Sequence, residues 1–296
     1  MARHRAGRFA GVDGTVVDLC CGLGFDLRAL TAVAHAVGVD RNEVHAVCAR
    51  HNSGAPVVVA DVRDIRTGGS GAVFIDPARR SADRRGGSEP PLDWCFALPA
   101  PRVAVKTAPG LEPAEVPEGW EVEFVADGRE LKEACLWSPS WATAPRRATV
   151  LRHGDVTELV ADGSPDRLAV GEPGAFVLDP SPAVTRAGLV ADLGRALGAW
   201  QIDARIAFLT GDRPLVTPLG RRLRVLASLP FSVKALAAEL RRLDVGAVEL
   251  RRRGLAGDVE DLRRRLRPRG SRRAVVLLTR LADRPWTIIC ADDPAT

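Results

Sequence analysis

The chain has 296 residues, 46% of them hydrophobic and 27% charged, with a formal net charge of +5. That is enough apolar material for a sizeable core, and the length favours two domains. No apolar run reaches about 18 residues, so no helical membrane span is expected, and the basic start MARHRAGRFAG lacks the apolar stretch of a secretory signal.

The first half alternates strand-like and helix-like segments. Residues 15–19 (TVVDL) read as a short strand running into Cys20, Cys21 and a Gly22-Leu23-Gly24 turn, and 26–34 (DLRALTAVA) carry apolar residues at helical spacing. Residues 36–39 (AVGV) form a second strand that stops at Asp40, and 43–50 (EVHAVCAR) a second helix. Strands at 57–60 and 72–75 end at Asp61 and Asp76, and a strand at 103–106 precedes Ala108-Pro109-Gly110. Such alternation predicts a parallel sheet with helices on both faces. Residues 121–126, 131–137 and 148–152 read as further strands completing one edge. Trp137 and Trp141, in LWSPSW, are expected to pack this sheet against a linker.

A Gly- and Pro-rich break over 160–175 marks that linker. Beyond it, 182–197, 234–243 and 258–266 read as helices, and 247–250 and 273–280 as strands. The expected division is 1–155 for the first domain, 156–220 for a linker with a small connecting unit, and 221–296 for a small α+β domain.

Charge follows the same division. Residues 221–280 hold 17 Arg or Lys and 6 Asp or Glu, a net of +11; the rest of the chain holds 25 basic and 31 acidic residues, a net of −6. A basic end on an otherwise acidic protein points to a polyanionic partner. The six cysteines (20, 21, 48, 95, 135 and 290) include no C-x-x-C pair and fit neither a zinc site nor a disulfide framework. They read as small buried hydrophobes of a reducing cytoplasm.

Asp18, Asp40, Asp61 and Asp76 all fall at or near strand ends, where ligands bind in open α/β sheets. The Gly22-Leu23-Gly24 turn lets a ligand approach the backbone. A dinucleotide fingerprint would place a third glycine where Leu27 stands, and Asp26 sits where a phosphate would lie, which disfavours a nicotinamide-dependent oxidoreductase. Asp40 is placed to accept both hydroxyls of a ribose, and Asp61 to accept from an adenine amine. These features describe an adenosine compound without phosphates.

The series VVDLCCGLGFD, VGVDRN, ADVRD and FIDPARR, in that order, resembles the motifs of class I S-adenosylmethionine-dependent methyltransferases. The chain is similar to bacterial methyltransferases that carry a THUMP-like C-terminal domain. Through them it is similar to the RNA-cap guanine-N2 methyltransferase group, where D-L-x-C-G-x-G is followed by an Asp and an alanine-rich helix ending in H-N. Here that helix ends in Cys48-Ala49-Arg50-His51-Asn52. The resemblance extends over nearly the whole chain, with LDPSPAV at 178–184, LTGDRP at 209–214 and VELRRRG at 248–254.

The resemblance implies a Rossmann-like class I methyltransferase sheet followed by a smaller α+β, ferredoxin-like or THUMP-like region. It also implies roles. Asp18, Cys20, Gly22 and Gly24 would flank the methionine end of S-adenosylmethionine, Asp40 would hold the ribose, Arg41 would cover the adenine, and Asp61 with the Val62 backbone would meet the adenine edge. Asp76 and Pro77 would face the methyl group and the acceptor. In amino-methyltransferases an Asp or Asn followed by Pro-Pro and an aromatic does this work; here the second proline and the aromatic are replaced by Ala78 and Arg79. Arg79 offers a planar guanidinium that can stack on a base or hold a phosphate. Lys106 lies on the same face and is placed to orient the acceptor or pair with Asp76.

Resemblance to THUMP-like modules implies structured RNA, tRNA or rRNA, as the partner, with Arg251, Arg252, Arg253, Arg264 and Arg265 as phosphate contacts. The altered DPAR motif leaves a second reading open, a methyltransferase-fold RNA-binding protein without catalysis. No metal, membrane or obligate protein partner is expected.

Overall fold

Short β-branched runs bounded by turns become the central strands of a sheet. In the computed structural model, which describes residues 1–79, 88–255 and 259–293, the chain divides into two units, Met1–Ala161 and Asp162–Thr296.

The first unit contains α1 (Ala2–Gly7), β1 (Val16–Leu19), α2 (Phe25–Thr31), β2 (Ala36–Asp40), α3 (Glu43–Ser53), β3 (Val57–Val59), β4 (Ala72–Ile75), β5 (Ala78–Arg79), β6 (Ser88–Glu89), α4 (Leu92–Phe96), β7 (Val103–Thr107), β8 (Glu121–Asp127), β9 (Glu130–Trp137), β10 (Arg146–Arg152) and β11 (Asp155–Val160). Nine of these strands form one sheet in the order β11-β10-β8-β9-β7-β4-β1-β2-β3. β3, β2, β1, β4 and β7 are mutually parallel, and β9 then enters antiparallel between β7 and β8. The chain winds outward from β1 in both directions, so the gap between the ends of β1 and β4 is the switch point where such sheets hold ligands.

Helix α1 is not legible in the apolar periodicity of the sequence. Charge and one aromatic anchor it. Phe9, just beyond α1, is fully buried and packs on Phe74, Trp137 and Trp141 at centroid distances of 6.1, 6.1 and 4.6 Å. The two tryptophans therefore pack the N-terminal segment, not a linker. His4 Nε2 lies 2.6 Å from Glu123 Oε1, and Arg8 Nη1 donates to Glu121 Oε1 at 2.9 Å. Arg5 reaches Asp26 and Glu133.

The second unit contains β12 (Phe176–Pro180), α5 (Pro182–Arg186), α6 (Val190–Leu197), β13 (Trp200–Gln201), β14 (Leu209–Gly211), β15 (Gly220–Pro230), α7 (Val233–Arg242), β16 (Val245–Arg252), α8 (Val259–Leu266), β17 (Arg272–Leu281) and β18 (Arg284–Asp292). Its seven strands run β13-β14-β12-β15-β18-β17-β16, all antiparallel except the parallel pair β16 and β17. β12 pairs along β15, so residues set apart in the sequence reading as a connecting unit share one sheet with the C-terminal strands. The helix expected over 182–197 is two helices. Gly188, at φ +67°, turns the chain out of the helix, because a left-handed residue cannot continue a right-handed one.

Alternation along β17 feeds two cores. Val275 and Leu277 face Phe208, Ile202 and Ile288 on one side. Ala274, Val276 and Leu278 face Leu236 and Leu240 of α7 and Leu262 and Leu266 of α8 on the other. The i, i+4 leucine pairs give each short helix one apolar stripe.

Candidate active site

The turn after β1 is built by three residues with positive φ: Cys20 (59°), Gly22 (52°) and Gly24 (79°). The two glycines serve different ends. A Cβ on Gly24 would lie 2.7 Å from the Cα of Ala49, so this glycine lets the turn seat against α3. A Cβ on Gly22 meets nothing within 4 Å; the backbone there is open to a ligand. Asp40, at the end of β2, closes the turn. Its Oδ2 accepts from the Gly22 N–H at 2.9 Å and its Oδ1 from the Asn42 N–H at 2.9 Å, with His45 Nδ1 3.5 Å away. Each oxygen keeps a further lone pair for a hydroxyl.

Across the gap, β4 ends at Asp76 and β7 carries Lys106. Parallel pairing of Ile75 with Val105 sets them side by side. Lys106 Nζ donates to Asp76 Oδ2 at 2.5 Å and lies 3.6 Å from Asp26 Oδ2. Asp26 is also paired with Arg5, a residue only 3% exposed, and Arg5 with Glu133. Removing one partner of a buried pair costs about 3–5 kcal/mol, so α1 is firmly tied to this site. Burial pulls the Lys106 ammonium down, but Asp76 and Asp26 outweigh it and its pKa is raised.

Asp18 lies beneath this network, with 0% exposure and no hydrogen bond to either oxygen among the described residues. Burial pushes its carboxyl well above the usual range, and Asp26 and Asp76 add to that. An uncompensated buried carboxylate is costly, and burial favours the neutral form of this group.

A cavity of about 530 Å³ opens on these strand ends, a nucleoside-sized volume. Of the residues singled out in the sequence, Cys20, Gly22, Asp40, Arg41, Asp61, Val62, Asp76 and Pro77 line it. Asp18 and Gly24 do not: one is under the cavity and the other under α3. Asp61 caps the 3₁₀ turn Val62–Asp64, accepting from the Arg63 N–H at 2.9 Å. The backbone of Arg79 forms β5 with Ala78, paired to Ser88 and Glu89; its side chain, with Arg80, lies outside what the structure describes. Asn42, His45, Lys132 and Glu133 also line the cavity and were not singled out in the sequence. Asn42 had a local signal, a helix cap right after the strand-end acid, its side chain accepting from the Val44 and His45 N–H groups. Glu133 had none, since only the insertion of β9 beside β7 brings it in.

Cys20 and Cys21 sit in surroundings that disfavour the thiolate. Burial, with Asp40 and Asp18 adding to it, pushes both thiols up to about 12, and reactive cysteines need the opposite. All six cysteines are free.

The donor set suits a cationic adenosine compound: acids at the strand ends, an open glycine, and an unpartnered buried carboxyl. An uncharacterised S-adenosylmethionine-dependent methyltransferase of Mycobacterium tuberculosis, the same in strains CDC 1551 / Oshkosh and ATCC 25618 / H37Rv, is 41% identical over 300 residues, covering 95% of this chain and 81% of that protein. The chain belongs to the S-adenosylmethionine-dependent methyltransferases. A THUMP domain-like family model matches residues 220–292. The fold is shared with a crystal structure from Porphyromonas gingivalis W83: TM-score 0.79, 22% identity, 99% of this chain and 80% of that one.

In this methyltransferase two of the five arginines expected to meet RNA have another task. Arg251 Nη2 donates to Asp179 Oδ2 at 2.6 Å and Arg253 Nη2 to Asp179 Oδ1 at 2.9 Å. Asp179 is 5% exposed, so these guanidiniums neutralise a buried acid that no local pattern reveals. Arg252, Arg264 and Arg265 are exposed, although Asp261 lies 3.5 Å from Arg264 and 3.7 Å from Arg265. One side-chain group among the described residues has metal-ligand composition, His4, Glu123 and Glu158. Glu123 already accepts from Thr149 Oγ1 at 2.6 Å and Trp137 Nε1 at 2.9 Å as well as facing His4, so the group reads as a clamp on α1. No helix among the described residues is long and apolar enough to cross a membrane.

Proposed function

We propose that this enzyme methylates a base nitrogen in structured RNA, tRNA or rRNA, in the cytoplasm, and that its C-terminal unit holds the RNA. The observation that carries this reading is the coincidence of the THUMP-like segment with a net charge of +11 over residues 221–280. Much of the exposed charge collects at one end of the sheet, although Arg224, Lys234 and Arg252 lie elsewhere. α7 finishes on Arg241 and Arg242, both exposed, and β16 starts at Val245. The turn after α8 holds Arg267 and Arg269, and β17 starts with Arg272 and Arg273, all exposed. Val245 pairs with Arg272, which brings the two helix ends together. Arginine forks at that end suit phosphates, and aromatics are scarce there, which favours backbone and shape over base stacking.

S-adenosylmethionine, when bound, supplies a methyl group to the acceptor nitrogen and leaves as the neutral thioether. Asp40 takes its ribose hydroxyls, Arg41 its adenine face, and Asp61 with the Val62 backbone its adenine edge. Cys20 and Gly22 flank its methionine end, and the buried Asp18 accepts from its ammonium. Asp76, at the cavity wall, accepts an N–H of the acceptor and takes the proton that nitrogen sheds. Pro77 continues that wall, and Arg79 remains the residue proposed to meet the acceptor's base or phosphate.

The test is nucleoside mass spectrometry of RNA from strains with and without this protein. One methylated nucleoside is expected to vanish from the deletion strain and return with the wild-type gene, but not with Asp76→Ala. Identical nucleoside profiles would overturn RNA as the substrate.

A further inference from the structure

We infer that Lys106 is a positioning residue for methyl transfer, holding Asp76 so that one carboxylate oxygen stays open to the acceptor. This rests on the reading of Asp76 as the group that meets the acceptor. Asp76 ends β4 with its side chain 38% exposed. Alone at a strand tip, such a carboxylate would rotate and be solvated. Lys106 engages Oδ2 at 2.5 Å, Oδ1 makes no hydrogen bond among the described residues, and Asp76 lines the cavity.

The lysine is itself held. Its side chain is 25% exposed, and Asp26 Oδ2 stands 3.6 Å behind it. Asp26 is fixed by Arg5, and Arg5 by Glu133. Five charges of alternating sign thus run Glu133, Arg5, Asp26, Lys106, Asp76, from α1 and β9 through α2 and β7 to the end of β4. Each member is paired with the next, so the last is placed by elements distant in sequence. Placement of this kind carries weight, because misplacing a reacting group by about 1 Å costs on the order of 100-fold in rate.

The test uses the full chain, methyl-tritiated S-adenosylmethionine and a cleared lysate of a strain lacking this protein, which contains the acceptor whatever its class. Wild type, Lys106→Met, Lys106→Gln and Lys106→Arg are compared at saturating cofactor, with cofactor affinity measured by calorimetry and folding by thermal melt. Lys106→Met and Lys106→Gln are expected to bind the cofactor within a few-fold of wild type but to transfer label about 100-fold more slowly. Lys106→Arg keeps the charge and the donors and is expected to recover most of the rate. Transfer by Lys106→Met or Lys106→Gln at the wild-type rate overturns the inference. So does a loss of cofactor affinity that accounts for the loss of rate, since Lys106 would then be a cofactor-site residue. Ribonuclease treatment separates this from the RNA reading: label that survives it refutes RNA as the acceptor, while the dependence on Lys106 is still read.

Discussion

The N-terminal unit carries its decisive charges inward and in pairs, whereas the C-terminal unit carries most of its surplus outward. Asp18, Asp26, Asp40, Glu121, Glu123 and Arg5 are buried or half-buried and, Asp18 apart, each has a named partner. Arg241, Arg242, Arg263, Arg264, Arg265, Arg267, Arg269, Arg272 and Arg273 are exposed. Low dielectric makes inward charges strong and geometrically exact, as a site for one small cation requires. Solvated charges are individually weak but sum along a polyanion and release its counterions. The exception within the second unit, Asp179 with Arg251 and Arg253, follows the rule of the first.

The comparison breaks first, and with the largest effect, at Asp40. Asp40→Ala removes an acceptor that orders the turn through two backbone N–H groups and is left no substitute. A loss of about 100-fold in S-adenosylmethionine affinity by calorimetry is expected, in line with hydrogen bonds to a charged group worth about 1.5–3 kcal/mol each. A change under threefold would show that inward charge is not what binds the cofactor.

A smaller effect sharpens the contrast within the second unit. Arg251→Ala is expected to lower the melting temperature by several degrees, since Asp179 loses half of its compensation at a cost of about 1–3 kcal/mol. Its effect on binding of total tRNA should be slight. Arg264→Ala should leave the melt unchanged, weaken tRNA binding a few-fold and reduce the salt slope by about 1. The reverse pattern in filter binding and melting would show that the sorting into structural and binding arginines is wrong.

The smallest effect concerns Asp18, where the substitution removes no contact. Its folded pKa is raised above the ordinary 3.8, first by burial and then by Asp26 and Asp76. Such a group supports the fold fully below its unfolded pKa, and that support is lost as pH rises through the folded value. Asp18→Asn cannot titrate. In the absence of cofactor, the melting temperature of the wild type should therefore fall relative to Asp18→Asn as pH is raised from about 4. Parallel curves would place Asp18 as a compensated carboxylate.

Much of the fold was legible because its signals are local. Alternating apolar runs, acids at strand tips and a Gly22-Leu23-Gly24 turn each occupy a few consecutive residues, and the structure puts strands and helices close to where those patterns lie. The break of the 182–197 helix had a visible sign, Gly188, that periodicity outweighed. The strands not read from the sequence include β11, β12, β14, β15 and β18, which antiparallel pairing rather than a bounded apolar run defines. α1 left no sign because Phe9 and three basic side chains, not an amphipathic stripe, hold it.

The sequence by itself determined the class of sheet, the end of it where the cavity opens, and many of the residues that line that cavity. Those properties depend on residue types at short spacing. Only the tertiary structure decided which charges meet. Arg5 reaches Glu133 across 128 residues, Lys106 reaches Asp76 across 30, and Arg251 reaches Asp179 across 72. Chain pattern carries no record of such pairs, because a guanidinium or ammonium finds its partner through strand order and burial rather than through its neighbours in sequence.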